Sequence, residues 1–218
     1  MEKPDNFEKF FGSLAVTVGG TLLAASSFAS GSLLAPLLPV FTSSLATARQ
    51  QKRLEMAINE IEALLASHQE KIDGLTDSQL QLIGDSSMVM FQTFSDDKID
   101  LLRNSIINTV FERDIAEHES IVLSRVLRDL SCWEFKFLVS MTKHKTILVM
   151  DEQYDKEEYD PERKRYDPGS NEDQIIRSLA NYNLVKSDIS GFGASLFYTI
   201  TPIGDRLIKL CTKPDIYA

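Results

Sequence analysis

Residues 179–210 read LANYNLVKSDISGFGASLFYTITPIGDRLIKL, and this run decides how the C-terminal part of the chain folds. It changes period twice. A helical stretch from about Glu172 ends near Tyr182. Alternating apolar and polar residues then run from Leu184 to Ile200, and Ser190-Gly191-Phe192-Gly193 supplies the turn chemistry of a hairpin. Thr201-Pro202 opens a last helix, because a proline at the first helical position loses no hydrogen bond. The expectation is helix, two antiparallel strands and a closing helix. Phe192 sits at the hairpin tip, with Leu196 and Phe197 behind it, and strand alternation turns at least one of those two inward.

Working back from this run, Ser131-Cys132-Trp133-Glu134 has the form of a capping box and opens a helix through Phe135, Leu138 and Met141. Thr146–Val149 reads as a short strand. Asp151–Gly169 differs in kind: eight acids, four bases, three tyrosines and two Asp-Pro pairs read as an exposed, mobile insertion.

The residues Asn181–Val185 (NYNLV), which end one helix, and Tyr198–Gly204 (YTITPIG), which open the next, carry a resemblance to winged-helix domains. With the helix and strand before them, the resemblance covers residues 131–218 and implies an α+β module. A DNA-binding member would present lysine and arginine on its recognition helix and wing. This chain departs from that pattern. The helix offers only Arg177 and the wing only Lys186, with Glu172, Asp173 and Asp188 beside them. From Asn171 to Ala218 five basic residues face five acidic ones, so the expectation is a module for protein contact or dimerisation through Phe192.

Before this module the chain reads as a helical bundle over residues 49–130. Leu54, Ile58, Ile61, Leu65, His68 and Ile72 follow a 4-3-4-3-4 spacing, the seam of a short coiled coil or of a helix packing on its own neighbours. Those apolar positions are protein-contact candidates on the first reading and core on the second, which is the favoured one. His68 in that seam is read as a core histidine, since no acid or second histidine stands four residues away. Thr76–Gln79 is a further capping box, with Leu80, Ile83, Ser87, Phe91 and Phe94 following it. Ser95-Asp96-Asp97 caps the helix of Ile99, Leu102, Ile106 and Val110, and Ile121, Val122, Val126 and Leu127 mark another.

Residues 10–48 carry no charge at all, a run longer than the roughly 20 residues that cross a bilayer core. Gly19, Gly20, Gly31, Pro36 and Pro39 dilute it. It therefore fits a tilted transmembrane helix, a re-entrant helical hairpin, or a small-residue helix pair packed in an oligomer. Glu2, Asp5 and Glu8 outnumber Lys3 and Lys9 ahead of it, which argues against a cleaved signal peptide. Arg49, Lys52 and Arg53 follow it and by the positive-inside rule keep the body in the cytoplasm. The expected location is the inner membrane with a cytoplasmic C-terminal body, or the cytoplasm if the run packs in an oligomer. The order of apolar segment, basic turn, bundle and winged helix also resembles small bacterial membrane-associated proteins of anti-phage defence type, which implies an effector role.

Chemistry is sparsely signalled. Arg113-Asp-Ile-Ala-Glu-His118 resembles the Arg-x4-His motif of HEPN ribonucleases, where the arginine would stabilise phosphorane charge and the histidine move protons. Residues at an exposed helix start explain the pair as well. P-loop, nucleophile-elbow and HExxH patterns are absent from the sequence. Cys132 and Cys211 form no metal or disulfide framework. A net charge of −9 disfavours nucleic acid as a partner. The expectation is a mainly α, non-catalytic, cofactor-free oligomeric effector or adaptor whose partners are itself, membrane lipid and another protein. The alternatives are a HEPN-like ribonuclease and a winged-helix DNA-binding regulator.

Overall fold

A computed structural model of the chain describes residues 48–66, 68–112, 115–150, 162–189 and 196–214. Residues 10–47, Arg113, Phe192 and most of the acidic insertion lie outside the described residues. What is described is mainly helical, with one small mixed sheet of four strands. It divides into two units. One runs up to Arg128 and takes in the chain again from Cys211; the other spans Asp129–Leu210.

The first unit is built of α1 (Ala48–Leu65), α2 (Gln69–Asp73), α3 (Asp77–Gln92), α4 (Asp96–Phe111) and α5 (Glu117–Asp129). Thr76 caps α3 in a reciprocal box with Gln79, and Ser95 caps α4, both as the sequence predicts. Gln79 does more than cap. Its Nε2 donates to the carbonyls of Thr109 (2.9 Å) and Glu112 (2.8 Å), so one buried amide joins the start of α3 to the end of α4. Leu82, Leu102, Ile106, Ile107 and Leu123 fill the core between these helices. Asn104 and Asn108 of α4 donate to the carbonyls of Cys211 and Thr212, which is how the chain's end belongs to this unit.

Two expectations for this unit are corrected. The seam from Leu54 to Ile72 is not one helix. His68 leaves the helical path (φ −124°, ψ 33°), its N–H returns to the Leu65 carbonyl and its Nδ1 lies 3.1 Å from the Leu64 carbonyl, so α1 closes and α2 starts afresh. Phe94 does not continue the buried stripe of α3. Thr93 turns extended (φ −88°, ψ 146°) and ends the helix, which leaves Phe94 74% exposed.

The second unit comprises α6 (Cys132–Met141), β1 (Thr146–Val149), β2 (Arg163–Tyr166), α7 (Asn171–Asn181), β3 (Val185–Ile189), β4 (Leu196–Ile200) and α8 (Pro202–Cys211). The sheet order is β2-β1-β4-β3. β3 and β4 pair antiparallel from Val185↔Ile200 to Ile189↔Leu196, β1 pairs antiparallel with β4, and β2 lies parallel to β1. β2 is the element that the sequence does not suggest. Its residues Arg-Lys-Arg-Tyr belong to the stretch read as a mobile insertion, yet they form an edge strand. Charged side chains suit an edge because they resist further strand addition.

The hairpin and last helix are held at Leu184. Asn183 takes a left-handed conformation (φ 59°) that turns the chain out of α7, and asparagine tolerates this better than most side chains. The Leu184 carbonyl then accepts from Thr201 N–H at 3.0 Å, and Thr201 Oγ1 donates to Asn183 O at 2.7 Å. Gly204 in the first turn of α8 lies so close that a Cβ there would sit 2.3 Å from the Leu184 oxygen and 2.9 Å from Ile200 Cγ2. In an open helix Gly→Ala adds about 1 kcal/mol of stability. Here the neighbour is backbone and cannot rotate away, so Gly204→Ala is expected to destabilise by about 1–3 kcal/mol in chemical denaturation. An alanine variant as stable as the parent would contradict the close approach.

Candidate functional site

The features of the second unit that reach solvent gather where α6, β2 and α7 meet. Ser131 N–H (2.8 Å) and Oγ (2.7 Å) both donate to Glu134 Oε2, and Ser131 Oγ accepts from Glu134 N–H. That box fixes the first turn of α6. Leu138 and Met141 face the core, and Trp133, five residues before Leu138 and so about 140° around the helix, faces away from it, 70% exposed. The other carboxylate oxygen of Glu134 accepts from Ser178 Oγ of α7, so both oxygens are held in place.

The far wall is β2 and the start of α7. Tyr166 packs against Phe137 with ring centroids 5.6 Å apart. Its hydroxyl is pushed above the usual phenol range, by burial first and by the charge of Glu172 second. Lys164, on the same face of β2, brings Nζ to 5.8 Å from the Tyr166 ring centroid. Together Trp133, Glu134, Phe137, Tyr166, Glu172 and Gln174 are chief among the residues lining an open cleft of about 610 Å³, and among the described residues no lysine or arginine lines it.

A buried carboxylate paired with an exposed arginine sets the base of α7. Gly169, in the left-handed region (φ 79°), donates its N–H to Asp173 Oδ2 at 2.8 Å. Arg177 donates from Nε to Oδ1 (2.9 Å) and from a terminal nitrogen to Oδ2 (3.1 Å). Asp173 is 2% exposed. Burial by itself would raise its pKa, but the Gly169 bond and the Arg177 pair outweigh that and hold it below the ordinary carboxylate range. Burial also raises Tyr198, which Arg177 partly offsets.

The residues singled out in the sequence are scattered. Leu54, Ile58, Ile61 and Leu65 are all buried within the first unit, so packing against the chain's own helices accounts for the seam. His68 is half-buried, edge-on to Phe111 at 4.9 Å. Of the basic residues behind the apolar run, Arg49 lies on α1, Lys52 is exposed, and Arg53 reaches Asp96 of α4 at 2.5 Å. His118 is exposed in the first turn of α5; Arg113, like Phe192, lies outside the described residues. Among the described residues no helix is long and apolar enough to cross a membrane, and no three His, Cys, Asp or Glu side chains gather as a metal site. Sequence reasoning passed over Trp133, Tyr166 and Glu172. The angular offset of Trp133 from Leu138 is the signal that would have found the first. Tyr166 required β2 to be seen as a strand, and Glu172 required α7 to be placed against α6.

The chain matches no family model, no curated protein and no solved structure.

The Asp173–Arg177 pair makes a pH prediction. A carboxyl whose folded pKa is depressed contributes stability that is complete above its unfolded value, near 3.9, and is lost as pH falls through the folded value. Asp173→Asn should therefore melt below the parent at pH 7, with the gap narrowing as pH drops below about 4. Melting curves from pH 7 to pH 3 check this, and a gap unchanged over that range would contradict it.

Proposed function

We propose that the chain is a non-catalytic, oligomeric adaptor or effector that works through protein contacts made by its 129–210 unit. The order α6-β1-α7-β3-β4-α8, with β4 between β1 and β3, supports the resemblance to winged-helix domains, and β2 is an addition to that pattern. The observation that carries the reading is electrostatic. Arg177 is the sole cation of α7, the helix that a DNA reader would lay in the groove, and one edge of its guanidinium, Nε with a terminal nitrogen, is taken up by the buried Asp173. On β3, Lys186 is accompanied by Asp188 on the same face. The cleft at α6, β2 and the start of α7 is acidic and aromatic, a surface that repels phosphate and suits polypeptide.

The uncharged run 10–48, backed by Arg49, Lys52 and Arg53, supports the further reading that this unit works at the cytoplasmic face of a membrane. The resemblance in layout to proteins of anti-phage defence type points to an effector that such an anchor would hold in place.

Fluorescence anisotropy of a labelled DNA duplex with the full-length protein at about 150 mM salt should show binding no tighter than the micromolar level of non-specific contact. Sedimentation velocity should show self-association that rises with protein concentration. Sequence-selective binding in the nanomolar range would overturn the reading in favour of a regulator.

A further inference from the structure

We propose that the cleft walled by Trp133, Phe137 and Tyr166 is a docking site for an arginine side chain on a basic segment of a partner polypeptide, a proposal that rests on the protein-contact reading. Three aromatic rings and two carboxylates converge there within an open volume of about 610 Å³, large enough for a side chain with its neighbouring residues. An aromatic face attracts a cation through its quadrupole, most strongly when the ring is an indole. Trp133 holds its indole 70% in water, although a ring of that size is normally used to cover apolar surface.

Charge selects the occupant. Glu134 keeps both oxygens fixed by Ser131 and Ser178, so its negative charge is set before any ligand arrives and needs no reorganisation. Glu172 is half-buried in the first turn of α7, near enough to Tyr166 for its charge to act on the hydroxyl. Lining residues from α6 and α7 thus contribute two acids and no base, while the one cation facing the ring from β2, Lys164, stays near the roughly 6 Å limit of such contacts. A phosphate or carboxylate ligand would be repelled, and a purely apolar one would gain nothing from the two carboxylates. Guanidinium is preferred to ammonium because it is planar: it stacks on an indole and presents parallel N–H groups to a carboxylate at the same time.

Trp133 is the single tryptophan of the chain, so tryptophan emission, excited beyond the tyrosine absorption band, reports on this cleft alone. The test titrates the full-length protein with acetylated tetra-arginine amide and with its neutral tetra-citrulline counterpart. The arginine peptide should produce a saturable change in tryptophan emission, and the citrulline peptide should bind about tenfold more weakly or not at all. Glu172→Gln should weaken the arginine peptide by about 3–10-fold without altering the circular dichroism spectrum. Trp133→Leu, followed by calorimetry, should lose about tenfold or more with an unchanged melting temperature, since the indole is outside the core. Equal response to both peptides, or no saturable response by either method, would overturn the proposal. So would loss of self-association in Glu172→Gln with no effect of the peptide, because the occupant would then be a second copy of the chain. If the cleft fails while duplex DNA remains unbound, the protein-contact reading stands and only this site is withdrawn.

Discussion

The carbonyl of Leu184 is the point on which the 129–210 unit depends. It follows a left-handed asparagine, it accepts the N–H that starts the closing helix, and it meets the bare Cα of Gly204 at a distance no side chain could share. Three requirements therefore meet at this turn: a residue that tolerates positive φ at 183, a hydroxyl at 201 that reaches Asn183 O, and glycine at 204. Because α7, β3 and α8 all meet there, the position of the hairpin relative to α7 is settled by backbone contacts. Side-chain packing then fills what remains, with Leu179, Leu184 and Leu207 wholly buried. The candidate cleft borders this turn through α7, which lends it Glu172, Gln174 and Ser178.

The elements that the sequence makes legible are those with local chemistry at their ends. Thr76, Ser95 and Ser131 each cap the helix that follows, Thr146–Val149 is a strand, and Pro202 opens the last helix. Those signals span three or four residues and do not depend on the rest of the chain. What is not legible depends on distant partners. The break at His68 is invisible to a 4-3-4 spacing, because the seam residues on either side are apolar whether or not the helix is continuous. β2 carries three consecutive basic residues, poor strand formers on composition, and becomes a strand through its pairing with β1. Phe94 obeys the helical spacing but lies two residues past the helix end, where the cap rather than the period decides.

The candidate site follows the same division. The capping box that begins α6 can be read directly, and with it the outward direction of Trp133. The opposite wall cannot, since Tyr166 reaches the cleft on β2, which forms by pairing with β1, and Glu172 reaches it through the packing of α7 on α6. The electrostatic expectation rests on a count alone: from Asn171 to Ala218 five acids match five bases. The structure adds the arrangement of those charges. Arg177 is turned toward Asp173, and two other carboxylates are left beside three rings. Neutrality of the count and acidity of the cleft are different facts, and the proposed partner chemistry rests on the second.

The central claim is that this unit binds cationic polypeptide and not nucleic acid. A single tryptophan yields a single indole N–H signal in a nitrogen-correlated NMR spectrum, resolved from the backbone amides. Adding an arginine-rich peptide and, separately, a DNA duplex to the labelled full-length protein tests the claim most directly. The account predicts that the peptide moves the Trp133 indole signal together with the amides of Glu172 and Ser178, and that the duplex leaves all three in place. Movement of the α7 amides by the duplex, with the peptide inert, would contradict it.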